Sequence, residues 1–302
     1  MDLGYTKPLY ILAFDHRASF QKKLVGIHDT PTAEDTARIS DAKKVIFEGF
    51  GEAVADGAPR EAAGILVDEQ FGADIARTAK AERYLFAMPM EKSGEDEFDF
   101  EYGREFGAHI EAFGPSFTKV LVRYNPGGDR AMNARQAGRL RELSDWLHQR
   151  GRKFLFELLV AAEPHQLEQV GGDPDRFDGE VRPGLMAGAI EELQGSGVEP
   201  DVWKIEGLDR REDCQRISKV VRRDGRDRVA CVVLGRGADE TAVERWLRQG
   251  AGVPGYIGFA IGRTIWWDSL KAYLAGETDR GTAAKAISEN FRQMIDVYTS
   301  AS

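Results

Sequence analysis

The chain has 302 residues, 42 % hydrophobic and 30 % charged, with 41 Lys+Arg against 50 Asp+Glu for a net charge of −9. This is the balance of a globular protein, and its acidic sign argues against a general nucleic-acid binder, which needs a basic face for phosphate. The two cysteines, Cys214 and Cys231, give neither a disulfide framework nor a Cys-based zinc site.

Short apolar runs alternate with longer amphipathic stretches. In chain order, a strand is expected over 9–17 and a helix over 32–56 with Thr32 as N-cap. Strands follow over 63–71 and 84–90, then an acidic stretch, 91–101, too polar for the core. The fourth strand is read over 117–124, a helix over 133–149, and the fifth strand over 153–160. The stretch 163–179, rich in Pro, Gly and Asp, reads as a second mouth loop or lid. A helix over 184–193, a strand over 201–208 and a helix over 209–223 come next. The last units are a strand over 228–234, a helix over 239–249, a strand over 255–263 and a long helix over 281–298. Gly151, Gly195 and Gly250 are expected to stop helices.

Strict alternation requires a parallel sheet, because parallel neighbours need a helix-length crossover. Eight is also the closure number of the (β/α)8 barrel, so the predicted fold is α/β, a single TIM barrel over residues 1–302. An open doubly wound sheet is disfavoured, since no Gly-x-Gly-x-x-Gly follows the first strand. The N-terminus lacks a basic stretch followed by an apolar core, and no apolar run reaches membrane length, so a cytoplasmic protein without membrane contact is expected.

Charges inside strands carry the functional signal. Alternation that turns Trp203 and Ile205 toward the helices turns Lys204 and Glu206 into the lumen, where a bare charge is costly. The same parity puts Lys119 and Arg123 on one inward face, and Glu157 inward between Phe156 and Leu158. Asp15 and Asp68 sit at the ends of the first two strands. Structural ion networks also place charges in barrels, but here five strands contribute, at the end where barrel active sites lie. A lysine desolvated beside a second lysine is a candidate neutral amine nucleophile, the chemistry of a Schiff-base enzyme.

Glycine-rich strand ends give a second signal. Gly235-Arg236-Gly237 follows the seventh strand and Gly262-Arg263 ends the eighth, the two positions where barrels bind phosphate. Arg263 would complete a bidentate clamp. Trp266-Trp267 and Cys231 read as packing, and the five histidines show no ligand spacing, so no metal site is expected. His16 is the one histidine near the mouth.

The stretches LAFDHR (12–17), GILVDEQFG (64–72), KVLVRYNP (119–126), FLFELLV (154–160), DVWKIEG (201–207) and GYIGFAIGRTIW (255–266) resemble the class I aldolases. That family includes tagatose-bisphosphate and sulfofructose-phosphate aldolases. The resemblance is closest to the 2-deoxy-5-keto-gluconate 6-phosphate aldolase domain fused to 5-dehydro-2-deoxygluconokinase. It implies Lys204 as the Schiff-base lysine, Glu157 as the proton-transfer group, Asp15 and Lys119 as active-site polar groups, and Arg263 as the phosphate ligand.

Where tagatose-type members have Ser-Ala-Gly after the seventh strand, this chain has Gly235-Arg236-Gly237, which puts a tagatose substrate in doubt. Arg123 fits the inositol-pathway type, where it would pair with a substrate carboxylate.

The resemblance thus implies an aldehyde-lyase cleaving a phosphorylated keto sugar or keto-sugar acid to dihydroxyacetone phosphate and an aldehyde, without a cofactor. Substrate contacts are expected from Arg263, Gly235, Arg236, Gly237, Gly262, Arg123 and Asp68. Two alternatives stand beside it. One is a divalent-metal lyase using Asp68, Glu69 and Glu157; the other is a non-catalytic sugar-phosphate-binding barrel. The sequence leaves a homo-oligomer open.

Overall fold

A computed structural model describes residues 3–302. Eight parallel strands close a barrel in sequence order, with β1 paired to both β2 and β8. The strands are β1 (Leu9–Ala13), β2 (Ala63–Leu66), β3 (Leu85–Pro89), β4 (Phe117–Arg123), β5 (Lys153–Leu159), β6 (Val202–Glu206), β7 (Ala230–Leu234) and β8 (Tyr256–Ile261). Helices α1 (Ala33–Ala55), α2 (Glu69–Ala81), α3 (Phe106–Phe113) and α4 (Arg130–Gln149) alternate with the first five strands. Two short helices, α5 (Pro164–Gln169) and α6 (Pro174–Arg176), precede α7 (Arg182–Gly195), α8 (Arg211–Val221) and α9 (Glu240–Gly250). The barrel closes with α10 (Arg263–Leu274) and α11 (Arg280–Ser300). Among the described residues no helix is long and apolar enough to cross a membrane.

The predicted barrel is observed, and every predicted strand contains an observed one. Thr32 caps α1 through a capping box, its side chain accepting from the Asp35 N–H while Asp35 accepts from the Thr32 N–H. Three expectations need correction. The second strand stops at Leu66, because the Asp68 carboxylate accepts from the Phe71 N–H at 2.8 Å and opens α2 two residues later. Stretch 91–101 is not wholly excluded from the core: Glu91, Phe98 and Phe100 are buried, and Glu91 bridges to Phe100. Stretch 163–179 is largely ordered into α5, α6 and the start of a π-helical turn, Phe177–Val181, whose Phe177 is buried. As expected, α7 stops at Gly195 and α9 at Gly250, and after α7 the left-handed turn falls at Gly197 with φ +83°.

Strand alternation separates two cores. Tyr10, Leu12, Phe154, Phe156, Trp203 and Ile205 pack outward under the helices. Inside the barrel, Leu9, Ile11, Phe117, Leu155, Val202 and Val232 join one apolar cluster, with Tyr5 edge-on to Phe117. This fills the lumen from the N-terminal end and leaves the C-terminal half to the charges.

Candidate active site at the C-terminal mouth of the barrel

Register brings the inward charges together. Leu121 on β4 pairs with Glu157 on β5, and Glu157 with Lys204 on β6. Lys204 Nζ donates to Glu157 Oε2 at 2.9 Å, and Lys119 Nζ lies 3.1 Å from the same oxygen. Lys119 also donates to Asp15 Oδ2 at 2.8 Å and to Glu91 Oε1 at 2.7 Å. Lys119 therefore has three carboxylates and Lys204 has one. Burial disfavours the Lys119 charge, but Asp15, Glu157 and Glu91 outweigh it and hold the ammonium well above its ordinary range.

The carboxyls around it divide. Burial raises each of them. For Asp15, the charges of Lys119 and Lys204 reverse that and hold it well below the usual carboxylate range. Glu157 is lowered by the same two lysines. At Glu91 burial wins over Lys119 and Arg17, so it stays raised. Beside this cluster, burial pushes His16 down to about 4 against the opposing pull of Asp15.

The cluster floors a cavity of about 560 Å³ lined by Asp15, His16, Glu91, Lys119, Glu157 and Lys204. The wall at β7 and β8 carries Gly235, Arg236, Gly237, Gly262 and Arg263. Gly237, with φ +72°, leaves room for Arg263: a Cβ there would meet its guanidinium at 2.3 Å. Arg263 donates to the Arg236 carbonyl at 3.0 Å, and among the described residues no carboxylate pairs with it. Arg236, at φ +53°, is held by Asp178 at 2.5 Å and Glu206 at 3.2 Å.

The sequence matches, over residues 4–302, the family described as "Uncharacterized protein conserved in bacteria (DUF2090)". The chain belongs to the DUF2090 family. No curated protein matches it in sequence. Solved structures with the same fold include Cgl0159 from Corynebacterium glutamicum, at 16 % identity and TM-score 0.58, covering 95 % of this chain and 86 % of that one. A Schiff-base-forming fructose-1,6-bisphosphate aldolase matches at 16 % identity and TM-score 0.53 over 93 % of both chains. An archaeal fructose-1,6-bisphosphate aldolase, its catalytic Lys covalently bound to a carbinolamine intermediate, matches at 15 % and 0.55 over 96 % of this chain and 94 % of that one. At these identities the likeness is one of fold.

Of the residues expected in catalysis or substrate binding, the DUF2090 barrel brings ten to the cavity: Asp15, Lys119, Arg123, Glu157, Lys204, Gly235, Arg236, Gly237, Gly262 and Arg263. Asp68 does not join them. It is fully buried behind the site, capping α2 and pairing with Lys43 from α1, so the expected substrate contact is replaced by a structural one. Glu69 pairs with His109 at 2.8 Å, so Asp68, Glu69 and Glu157 do not assemble as metal ligands.

Glu91 was not among the expected site residues. Its position carried a signal: β1 ends at Ala13 with Asp15 two residues on, and β3 ends at Pro89 with Glu91 two residues on. Arg17 was missed as well; it bonds the Glu91 carbonyl at 2.7 Å and Glu101 at 2.9 Å, tying the 91–101 loop over the site.

Proposed function

We propose that this DUF2090 protein is a class I aldolase that uses Lys204 as its Schiff-base nucleophile. One observation carries the reading: two buried lysines share one carboxylate, and only Lys119 is neutralised by further acids. Lys119 is held as a cation, while Lys204 has Glu157 as its one carboxylate hydrogen-bond partner, placed to take its proton. The fold shared with two Schiff-base aldolases supports it.

In the proposed reaction, Glu157 accepts a proton from Lys204, and the neutral amine attacks the substrate ketone. The carbinolamine loses water, assisted by the Glu157 carboxylic acid, to give an iminium. Glu157 or Asp15 then removes the β-hydroxyl proton. The bond between the α and β carbons breaks, its electron pair moves into the iminium as an enamine, and an aldehyde leaves. Protonation of the enamine carbon and hydrolysis release the ketone product and restore Lys204. The iminium serves as the electron sink that a Lewis acid would otherwise provide.

The phosphate is assigned to Arg263, with the Gly235–Gly237 turn and Gly262 letting the ligand approach the backbone. The substrate class is a phosphorylated keto sugar or keto-sugar acid. The resemblance noted above favours 2-deoxy-5-keto-gluconate 6-phosphate, giving dihydroxyacetone phosphate and malonic semialdehyde. Its counterpart is 6-deoxy-6-sulfofructose 1-phosphate, giving sulfolactaldehyde.

The test is borohydride reduction in the presence of these phosphates, followed by peptide mass spectrometry. The adduct is expected on the peptide carrying Lys204, and Lys204→Ala should lose both adduct and turnover while remaining folded. An adduct on Lys119, or binding with neither adduct nor turnover, overturns the assignment.

A further inference from the structure

His16 lines the cavity and takes no part in the proposed reaction. It follows Asp15 beyond the end of β1. The ring is wedged between neighbours. It lies edge-on to Trp266, with ring centres 5.5 Å apart, and Trp266 is itself fixed by donating to the Ala13 carbonyl at 2.9 Å. It also lies against Gly262: a Cβ there would stand 3.1 Å from His16 Cε1 and 2.3 Å from the Ala13 carbonyl oxygen. Only glycine at that point lets the imidazole sit against the N-terminus of α10, where Arg263 begins the helix. Yet His16 Nδ1 is buried without a hydrogen-bond partner. That nitrogen is closed off from the cavity, while the residue as a whole stays partly exposed at its wall, so a ligand beside Arg263 would meet the open edge of the ring.

We propose that His16 is a substrate-binding residue that hydrogen-bonds the phosphorylated end of the substrate alongside Arg263. The inference rests on the phosphate-bearing substrate argued above and adds a contact that the reading did not include. Charged and titratable groups face His16 from four elements. Burial disfavours the imidazolium most, Arg263 on α10, Lys204 on β6 and Lys43 on α1 add to it, and only Asp15 beyond the end of β1 pulls the other way. The ring consequently remains neutral through the physiological range. A neutral ring has one N–H donor and one acceptor nitrogen, so it can serve a phosphoryl or ester oxygen without adding a third cation beside Arg263 and Lys204.

Phosphate binding tests this without any turnover. Protein carrying histidine labelled with the heavy nitrogen isotope is titrated with inorganic phosphate at pH 6 and followed by NMR. The His16 ring nitrogens should report a neutral tautomer before and after saturation and should move as the site fills. His16→Ala should weaken phosphate binding about three- to tenfold, the size of one neutral hydrogen bond, and His16→Gln should recover most of it. Phosphate that binds with His16 unmoved, phosphate that does not bind, or an imidazolium in either state overturns the proposal. The titration on wild type decides even if a variant fails to fold. If His16 responds to phosphate but no ketose phosphate is trapped on Lys204, the aldolase reading falls and this contact stands.

Discussion

The lower and upper halves of the barrel lumen are opposite in chemistry although the same strands build both. On β4 the inward positions run from Phe117 to Lys119, on β5 from Leu155 to Glu157, and on β6 from Val202 to Lys204. A step of two residues takes each strand from an apolar plug to an ion cluster, because alternate side chains share a face. Stability and chemistry are thereby assigned to different residues on one rigid element. The plug also excludes water from beneath the cluster, which strengthens every ion pair above it.

The largest test of this division is Leu155→Ala. Leu155 is fully buried in the inner cluster, and truncation should cost about 2–5 kcal/mol of unfolding free energy. Denaturant titration should show that loss, while kcat/KM per folded molecule stays within about twofold of wild type. A large fall in kcat/KM with little loss of stability would mean that the two halves are not separable.

This division was legible in the sequence because it is a period-two pattern. Charges at Lys119, Glu157 and Lys204 stand out among large apolar neighbours whose direction is unambiguous. What escaped was decided off the strands. Asp68 and Asp15 look alike in the sequence, each beyond a strand end. Asp68 is diverted because a helix starts right after it and because Lys43, far away on α1, reaches it through the core. Glu91 lay in a stretch whose acidic composition resembles a solvated loop, and its burial is explained by the Lys119 ammonium and the Arg17 guanidinium, both distant in sequence. The pairing of Arg236 with Asp178 was not legible, since Asp178 sits 58 positions earlier in a π-helical turn with no sequence signature.

A smaller effect sharpens the upper half alone. His16 titrates near its ordinary value of 6.5 when the chain is unfolded but is pushed down to about 4 in the fold. The unfolded chain therefore binds more protons between those values, and stability should fall as pH drops from 6.5 toward 4. The slope is up to about 1.4 kcal/mol per pH unit. Asp15 and Glu157, held low in the fold, add to the loss only further into acid, as the unfolded carboxyls take up protons. Urea midpoints measured against pH should thus show a first decline above the carboxylate range that His16→Gln flattens. A decline unchanged in that variant would place the titration elsewhere.

The smallest expected effect separates Arg123 and Arg236, two cations at the mouth that are both candidates for a second anionic group of the substrate. Arg236 already has two carboxylates. Drawing it away would leave Glu206, 6 % exposed, with the more distant Arg182 at 3.8 Å, a costly exchange for a buried acid. Arg123 is differently placed. Its side chain is 39 % exposed, it donates to the Glu95 carbonyl at 2.9 Å, and its one carboxylate neighbour, Asp96 at 3.8 Å, is 94 % exposed. A pair so exposed contributes little, so an incoming carboxylate or sulfonate can take Arg123 without a large desolvation penalty. On the proposed reading, Arg123 is therefore the better placed of the two for a second anion. Arg123→Gln should lower kcat/KM for a phosphorylated keto-sugar acid about tenfold, or ~1.4 kcal/mol of transition-state binding, and leave a neutral ketose phosphate unchanged. Arg236→Gln should lower both substrates alike, because it loosens the ring of Asp178, Arg182 and Glu206 at the rim. Steady-state kinetics on the two substrates with both variants decide the matter: equal losses from Arg123→Gln would make it a brace for the 91–101 loop and leave the substrate with one anion.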